Sequence, residues 1–267
     1  MTVDTLRERL RGSTVLITGA SSGLGVEFAR RFATYGCDLV LVARRLDRLQ
    51  KLASELSTRH AITATPVAAD LAVPGAGSAL KASLSHQGIT VHSLINNAGF
   101  GTHQPFVDED PVTLSNEIAV NVGAVVDLSR AFLPEMLQHG SGVLLTLAST
   151  AAYQPLPGMA VYAATKAFVL SFTEALAVET RGTGVTVMAV SPGPTETEFF
   201  EVVGGDDATF GAMQTATQVI DTTFAALESK RPPASVVSGV SNKLQSAGVR
   251  LLPRWAALEV TARMFSK

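Results

Sequence analysis

The chain has 267 residues, of which 46% are hydrophobic and 16% charged, with a formal net charge of −2. That composition excludes a disordered chain, and the near-neutral balance excludes a whole-chain field that attracts nucleic acid or an anionic membrane. A single cysteine, Cys37, excludes an intramolecular disulfide and a thiolate metal cluster. Residues 14–18, TVLIT, form a short apolar run that ends in the turn Gly19-Ala20-Ser21-Ser22-Gly23-Leu24-Gly25. A helical pattern with Phe28, Phe32 and Tyr35 comes next and stops at Gly36. Cys37 then reads as a small core residue at the start of DLVLVA, 38–43, a buried parallel strand. Residues 44–56 predict an amphipathic helix with Leu46, Leu49, Leu52 and Leu56 inward, and 63–70 a third strand. A helix at about 74–87, a strand at 91–97, one long helix at 110–139 and a fifth strand at 142–149 come next. The run 159–181 reads as a helix with Val161, Phe168, Phe172, Leu176 and Val178 on its apolar face. A sixth strand at 185–191, a helix at about 213–229 and a strand at 234–239 close the pattern. Alternating strands and helices predict an α/β fold with a parallel sheet covered on both faces.

The first twelve residues carry charges without an apolar core, and no run reaches 18 apolar residues. A soluble, cytoplasmic protein is therefore expected, without a secretory signal or membrane span. From Lys243 onward, Lys243, Arg250, Arg254, Arg263 and Lys267 oppose only Glu259, which marks either a contact surface or a solvated face.

The first strand, glycine turn and helix together predict a phosphate cradle. Glycines let the backbone turn tightly, and a helix beginning near Gly23 offers free N–H groups to an anion. The spacing Gly19, Gly23, Gly25 differs from the standard dinucleotide fingerprint. Nineteen residues after Gly25, where an acid often holds a ribose 2′-hydroxyl, the chain has Arg44 and Arg45. A guanidinium suits a 2′-phosphate, so NADP(H) is expected over NAD(H). Asp70, before Leu71, either bonds an adenine amino group or caps the next helix. Asn96-Asn97-Ala98-Gly99 is either a close approach to a ribose or an ordinary strand-ending turn. Asn121 falls inside a helix, where asparagine is unfavourable, and a local kink holding a water is one reason for it.

Tyr162 and Lys166 stand four apart, so the phenol and the ammonium share one helix face. A neighbouring cation is expected to pull the tyrosine pKa down toward working pH and fit it for proton exchange with an alcohol or ketone. Ser149, 13 residues earlier at a strand's carboxyl end, is placed to donate to a substrate carbonyl. No G-x-S-x-G elbow surrounds Ser149, and the five histidines show no metal spacing; only His103 falls near the predicted mouth.

The motifs TGASSGLG (18–25), Asp70, NNAG (96–99), Asn121, Ser149, YAATK (162–166) and PGPTET (192–197), in this order, resemble the short-chain dehydrogenase/reductase family over about residues 13–195. The resemblance implies a single Rossmann-like domain over 1–267, a doubly wound parallel sheet of about seven strands with helices on both faces. It implies that Ser149 orients the carbonyl, Tyr162 is the acid or base, Lys166 tunes it and binds the nicotinamide ribose, and Asn121 holds a relay water. It implies that Pro192, Gly193 and Thr195 meet the nicotinamide end and that about 194–212 forms a substrate lid. NNAGFG, VARRLDRL and the tail resemble a branch of broad carbonyl, acyl-chain and steroid-type reductases.

The expected activity is NADP(H)-dependent interconversion of a ketone or aldehyde and an alcohol. The apolar lid residues Phe199, Phe200, Phe210 and Met213 suggest a hydrophobic substrate. The alternative is a cofactor-sensing interaction module on the same fold. No nucleic-acid partner and no metal are expected. A homodimer or tetramer is expected; the tail at about 241–267 lacks the glycine-rich ending common in tetrameric relatives, which argues against the usual tetramer and leaves a dimer, or a tail that covers the pocket or touches a membrane.

Overall fold

The computed structural model describes residues 5–199, 203, 213–251, 253, 255, 256, 258, 259 and 261. Phe200 and Phe210, most of the expected lid and much of the tail lie outside them. A short helix α1 (Leu6–Leu10) precedes β1 (Thr14–Thr18), α2 (Gly23–Thr34), β2 (Asp38–Ala43), α3 (Leu46–His60), β3 (Ala64–Ala68), α4 (Ala76–His86) and β4 (Ser93–Asn96). Then come α5 (Pro111–Ile118), α6 (Ala124–His139), β5 (Gly142–Leu147), α7 (Ala160–Glu179), β6 (Val185–Ser191), α8 (Ala216–Leu227), β7 (Ser235–Val237) and α9 (Val240–Leu251).

The strands form one sheet in the order β3-β2-β1-β4-β5-β6-β7, with every pairing parallel. The central strands are apolar on both sides because helices cover both. Val15, Ile17, Leu39, Leu41, Val143 and Leu145 meet α2, α3 and α8 on one face. Leu16, Val40, Val42 and Leu144 meet α4 and α6 on the other. Strand order reverses between β1 and β4, so ligand-binding loops gather beyond the carboxyl ends there.

Three expectations need correction. The helix expected over 110–139 is two helices separated by a π turn at Ala119–Gly123. Such a turn takes one extra residue and rotates the next helix relative to the one before it. In α7 the expected apolar face is not the buried one: Phe168 is 43% and Val178 50% exposed, while Tyr162, Ala163, Thr165, Lys166, Val169, Leu170 and Thr173 are buried. α7 is apolar nearly all round, so periodicity alone did not single out its inner stripe; the sheet selected the side carrying the small and reactive residues. Leu46, expected inside α3, is 38% exposed. Although α7 has the length and mean hydropathy of a membrane span, its inner face packs on β6 and the segment after β5.

Cys37 is fully buried, as expected, and burial pushes its thiol up to about 12. On the same side of the sheet, Phe224 of α8 meets Phe32 at 5.0 Å and Tyr35 at 5.3 Å between ring centroids, under the Arg31 guanidinium at 5.1 Å. Phe224 is 1% exposed. Phe224→Ala is expected to lower unfolding free energy by about 3–5 kcal/mol in a denaturant titration; a loss below about 1 kcal/mol would mean that α8 collapses into the gap.

Candidate active site

The carboxyl ends of the central strands open onto a cleft of about 680 Å³, a size suited to a cofactor with a small substrate. One end is the turn between β1 and α2. Gly19 (φ 66°) and Gly23 (φ 53°) hold left-handed backbone there, which glycine reaches without strain. Ser22 precedes α2 without a side-chain cap, and no acid occupies the first turn. The helix start therefore keeps free N–H groups and a positive dipole end at the cleft wall. A Cβ on Gly25 would lie 2.3 Å from the Gly19 carbonyl oxygen and 2.7 Å from Asn97 Nδ2, so α2 can approach the turn only with glycine there.

Asn97 ties the fourth strand's end to that turn. Its Nδ2 donates to the carbonyls of Thr18 at 2.8 Å and Gly19 at 3.3 Å, and Thr18 Oγ1 accepts the N–H groups of Asn97 and Ala98, each at 3.0 Å. At the end of β2, Arg44 is exposed and lines the cleft. Asp70 also lines it and accepts the Ala72 N–H at 3.0 Å, so it closes a turn rather than capping α4, which starts after Gly75. Leu71, Gly99, Pro192, Gly193 and Thr195 complete this wall together with Ser21, Ser22, Leu24 and Ala98.

At the other end stand Ser149, Tyr162 and Lys166, all lining the same cleft. Ser149 lies just beyond β5, and its Oγ accepts the Ala151 N–H at 3.1 Å. Tyr162 lies in the first turn of α7 and is 9% exposed. One turn on, Lys166 Nζ donates to the Leu147 carbonyl at 2.7 Å and lies 5.7 Å from the Tyr162 ring centroid. Asn121 sits in the π turn, behind the wall rather than on it. Its Nδ2 donates to Phe100 O at 2.8 Å and Thr165 Oγ1 at 3.1 Å, and its Oδ1 accepts the Phe100 N–H at 3.1 Å. The helix is interrupted by a π turn at this asparagine, whose side chain fixes the loop that carries Gly99. Of the expected catalytic and cofactor residues, Asn121 and Gly25 do not line the cleft.

The electrostatics differ from the expectation for tyrosine. Burial raises Tyr162 to about 12; the Ser149 hydroxyl opposes this, and the charge of Glu117 adds to it. Burial lowers Lys166 to about 8, against an upward pull from Glu117. Desolvation dominates both shifts: the phenol stays protonated at neutral pH, while the buried ammonium is close to giving up its own proton.

Several contacts escaped the sequence reading. Arg45 holds Ser21 Oγ through Nε at 3.2 Å and Nη2 at 3.1 Å, and pairs with Glu198 at 2.9 Å. Arg48 pairs with the same carboxylate at 2.5 Å. Glu198 therefore links the segment after β6 to the start of α3, across 150 residues of sequence that no local pattern bridges. Glu117, fully buried one turn before Asn121, was also missed; its signal was an acid on the inner side of an amphipathic helix. His103, expected near the mouth, packs on Gly158 and does not line the main cleft.

The family model for short chain dehydrogenase matches residues 13–207. The chain belongs to the short-chain dehydrogenase family. A sulfoacetaldehyde reductase 2 from Chromohalobacter salexigens is 41% identical to this dehydrogenase over 202 residues, 74% of this chain and 79% of the relative. An NADP-dependent 3-hydroxy acid dehydrogenase from Schizosaccharomyces pombe is 36% identical over 201 residues, 72% and 74% of the two chains. A short-chain dehydrogenase from Sphingobium yanoikuyae, solved in complex with NADPH, superimposes with a TM-score of 0.77 at 33% identity, covering 94% of this chain and 93% of that one.

In this dehydrogenase, Gly25→Ala forces a methyl group against the Gly19 carbonyl. It is expected to lower stability by roughly 1–3 kcal/mol, the usual cost of overpacking a tight site, read by chemical denaturation.

Proposed function

We propose that this oxidoreductase uses NADP(H) to interconvert a ketone or aldehyde and an alcohol on a largely apolar substrate. The observation that carries the reading is one cleft with two different ends: a glycine turn and helix start beside Arg44, and a buried Ser149–Tyr162–Lys166 cluster. The cofactor fits the first end. The uncapped start of α2 suits a pyrophosphate, and Arg44, which makes no ion pair among the described residues, suits a 2′-phosphate. The NADPH-bound neighbour and the NADP-dependent relative support the same choice. When bound, the cofactor supplies or accepts the hydride at the substrate carbon.

The protein's own part is orientation and proton handling. Ser149 donates to the carbonyl oxygen, and Tyr162, protonated at neutral pH, gives that oxygen its proton as the alcohol forms. Lys166, held by the Leu147 carbonyl, keeps positive charge beside the phenol below about pH 8. Asn121 acts here by holding Phe100 and Thr165, and through them the cofactor-side loop and the Tyr162 helix. In the oxidative direction the same groups run in reverse.

The substrate end supports an apolar partner. Phe100, Leu156, Met159 and Phe199 line it, and the lining cations are Arg44, Arg45 and Lys166, all assigned to other tasks. Residues 200–212 contain no lysine or arginine. A sulfonate, named in the relative's substrate, meets no further lining cation among the described residues. We take the chain to be one domain.

Tyr162→Phe is expected to cut ketone reduction by about 10²-fold or more, the scale of general acid catalysis, with NADPH affinity kept; near-normal turnover would overturn the assignment. Arg44→Asp is expected to weaken NADPH binding at least about tenfold while NADH binding changes little, an effect of more than about 1.4 kcal/mol in a fluorescence titration; equal losses would overturn the cofactor choice.

A further inference from the structure

Glu117 has no place in the mechanism above, yet it is 0% exposed and its Oε1 has no hydrogen-bond partner among the described residues. Burying an unpaired carboxylate is costly, so such a group must hold a proton or face a compensating charge. Both conditions are in reach. Its charge is felt by Tyr162 and Lys166 from α7, and it feels in turn the charge of Glu109 from the loop before α5. Those three are the titratable groups facing it. Glu117 Oε2 lies 3.3 Å from Thr102 Oγ1, and Thr102 Oγ1 lies 2.6 Å from Glu109 Oε1. Glu109 is only half-buried, and with Thr102 it lines a small outer cavity of about 40 Å³, room enough for water.

Resting on the reading of Tyr162 and Lys166 given above, we propose that Glu117 is a positioning residue that exchanges a proton with solvent through Thr102 and Glu109 and thereby sets the charge on Lys166. Thr102 has one hydroxyl hydrogen. Donated along the 2.6 Å contact to Glu109, it leaves the hydroxyl oxygen free to accept from a protonated Glu117. Moving each hydrogen one step outward leaves Glu117 ionised, Thr102 unchanged and Glu109 protonated; the reverse brings a proton in. No electrons move. Reduction consumes one proton, taken from the Tyr162 hydroxyl, and it must be replaced from solvent. An ionised Glu117 favours the Lys166 ammonium, and a neutral Glu117 lets it discharge.

Burial raises Glu117 from its ordinary 4.5 to about 7, with the Thr102 hydroxyl opposing and Glu109 adding to the rise. A folded-state pKa above the unfolded value means the native protein holds the extra proton between about 4.5 and 7. Stability tied to that proton is complete below about 4.5 and is lost as pH rises through about 7.

The test compares wild type, Glu117→Gln, Thr102→Val, Thr102→Ser and Tyr162→Phe, all full length. Glu117→Gln keeps the shape and loses the titration. NADPH affinity should stay within about twofold of wild type. The alkaline limb of the ketone-reduction pH profile should move to lower pH, because both Lys166 and Tyr162 lose a negative neighbour. Independently of activity, the decline in unfolding free energy between pH 4.5 and 7 should be shallower than in wild type. Thr102→Val should move the alkaline limb the same way and Thr102→Ser should restore it, which keeps the question answerable if Glu117→Gln fails to fold. Unchanged limbs in the folded variants, with an unchanged stability slope, overturn the proposal. If Tyr162→Phe is inactive while those limbs stay put, only the role of Glu117 falls; if Tyr162→Phe retains turnover, the underlying mechanism falls with it.

Discussion

The hydrogen bond from the Lys166 ammonium to the Leu147 carbonyl is the constraint on which the reactive end depends. A buried lysine with no acceptor would neutralise or leave the core. Here the carbonyl of the last residue of β5 accepts a hydrogen bond from it, which fixes α7 against the carboxyl end of the strand whose next turn presents Ser149. The bond therefore locates two elements at once and sets the Tyr162 face of α7 inward. Desolvation at that spot then lowers the ammonium and raises the phenol together. Neither group loses its usual charge state at neutral pH, yet the lysine is left poised to titrate and the tyrosine is not.

The opposite end is organised by backbone approach rather than by charge. Gly25 admits α2 to the turn, and Asn97 crosses from β4 to hold the same turn by its side-chain amide. The asparagine thus acts first as a strut between neighbouring strand ends, and its place on the cleft wall is a result of that. Arg45 and Arg48 extend the brace outward to Glu198, so a segment that borders the substrate end is also anchored at the nucleotide end.

Much of this was legible because the signals are local. Doubly apolar strands such as 38–43 cannot face water on either side, and a glycine turn after such a strand has few other uses. The spacing of Tyr162 and Lys166 directly encodes a shared face. What was not legible is what the chain decides by long-range packing. The π turn at Ala119–Gly123 leaves the helical composition of 110–139 intact, so no breaker announces it. The outward turn of Phe168 and Val178 depends on which side of an almost wholly apolar helix the sheet accepts. The direction of the tyrosine shift was hidden for a related reason: sequence reveals the neighbouring cation but not how dry the site is. The Arg45–Glu198–Arg48 brace joins residues 150 or more apart, and no period connects them.

The parallel register has a consequence for how the centre comes into being. Its groups are drawn from the segments after β1, β2, β3, β4, β5 and β6 and from α2, α5 and α7, spread between residues 19 and 199. Neighbours in the sheet are distant in the chain at the β1–β4 crossover, so no short contiguous fragment contains both halves of the cleft. Such non-local pairings are slow to form during folding. The reactive phenol and amine therefore become neighbours of the nucleotide end only once the central strands have zipped, and a nascent or truncated polypeptide stays chemically silent until then.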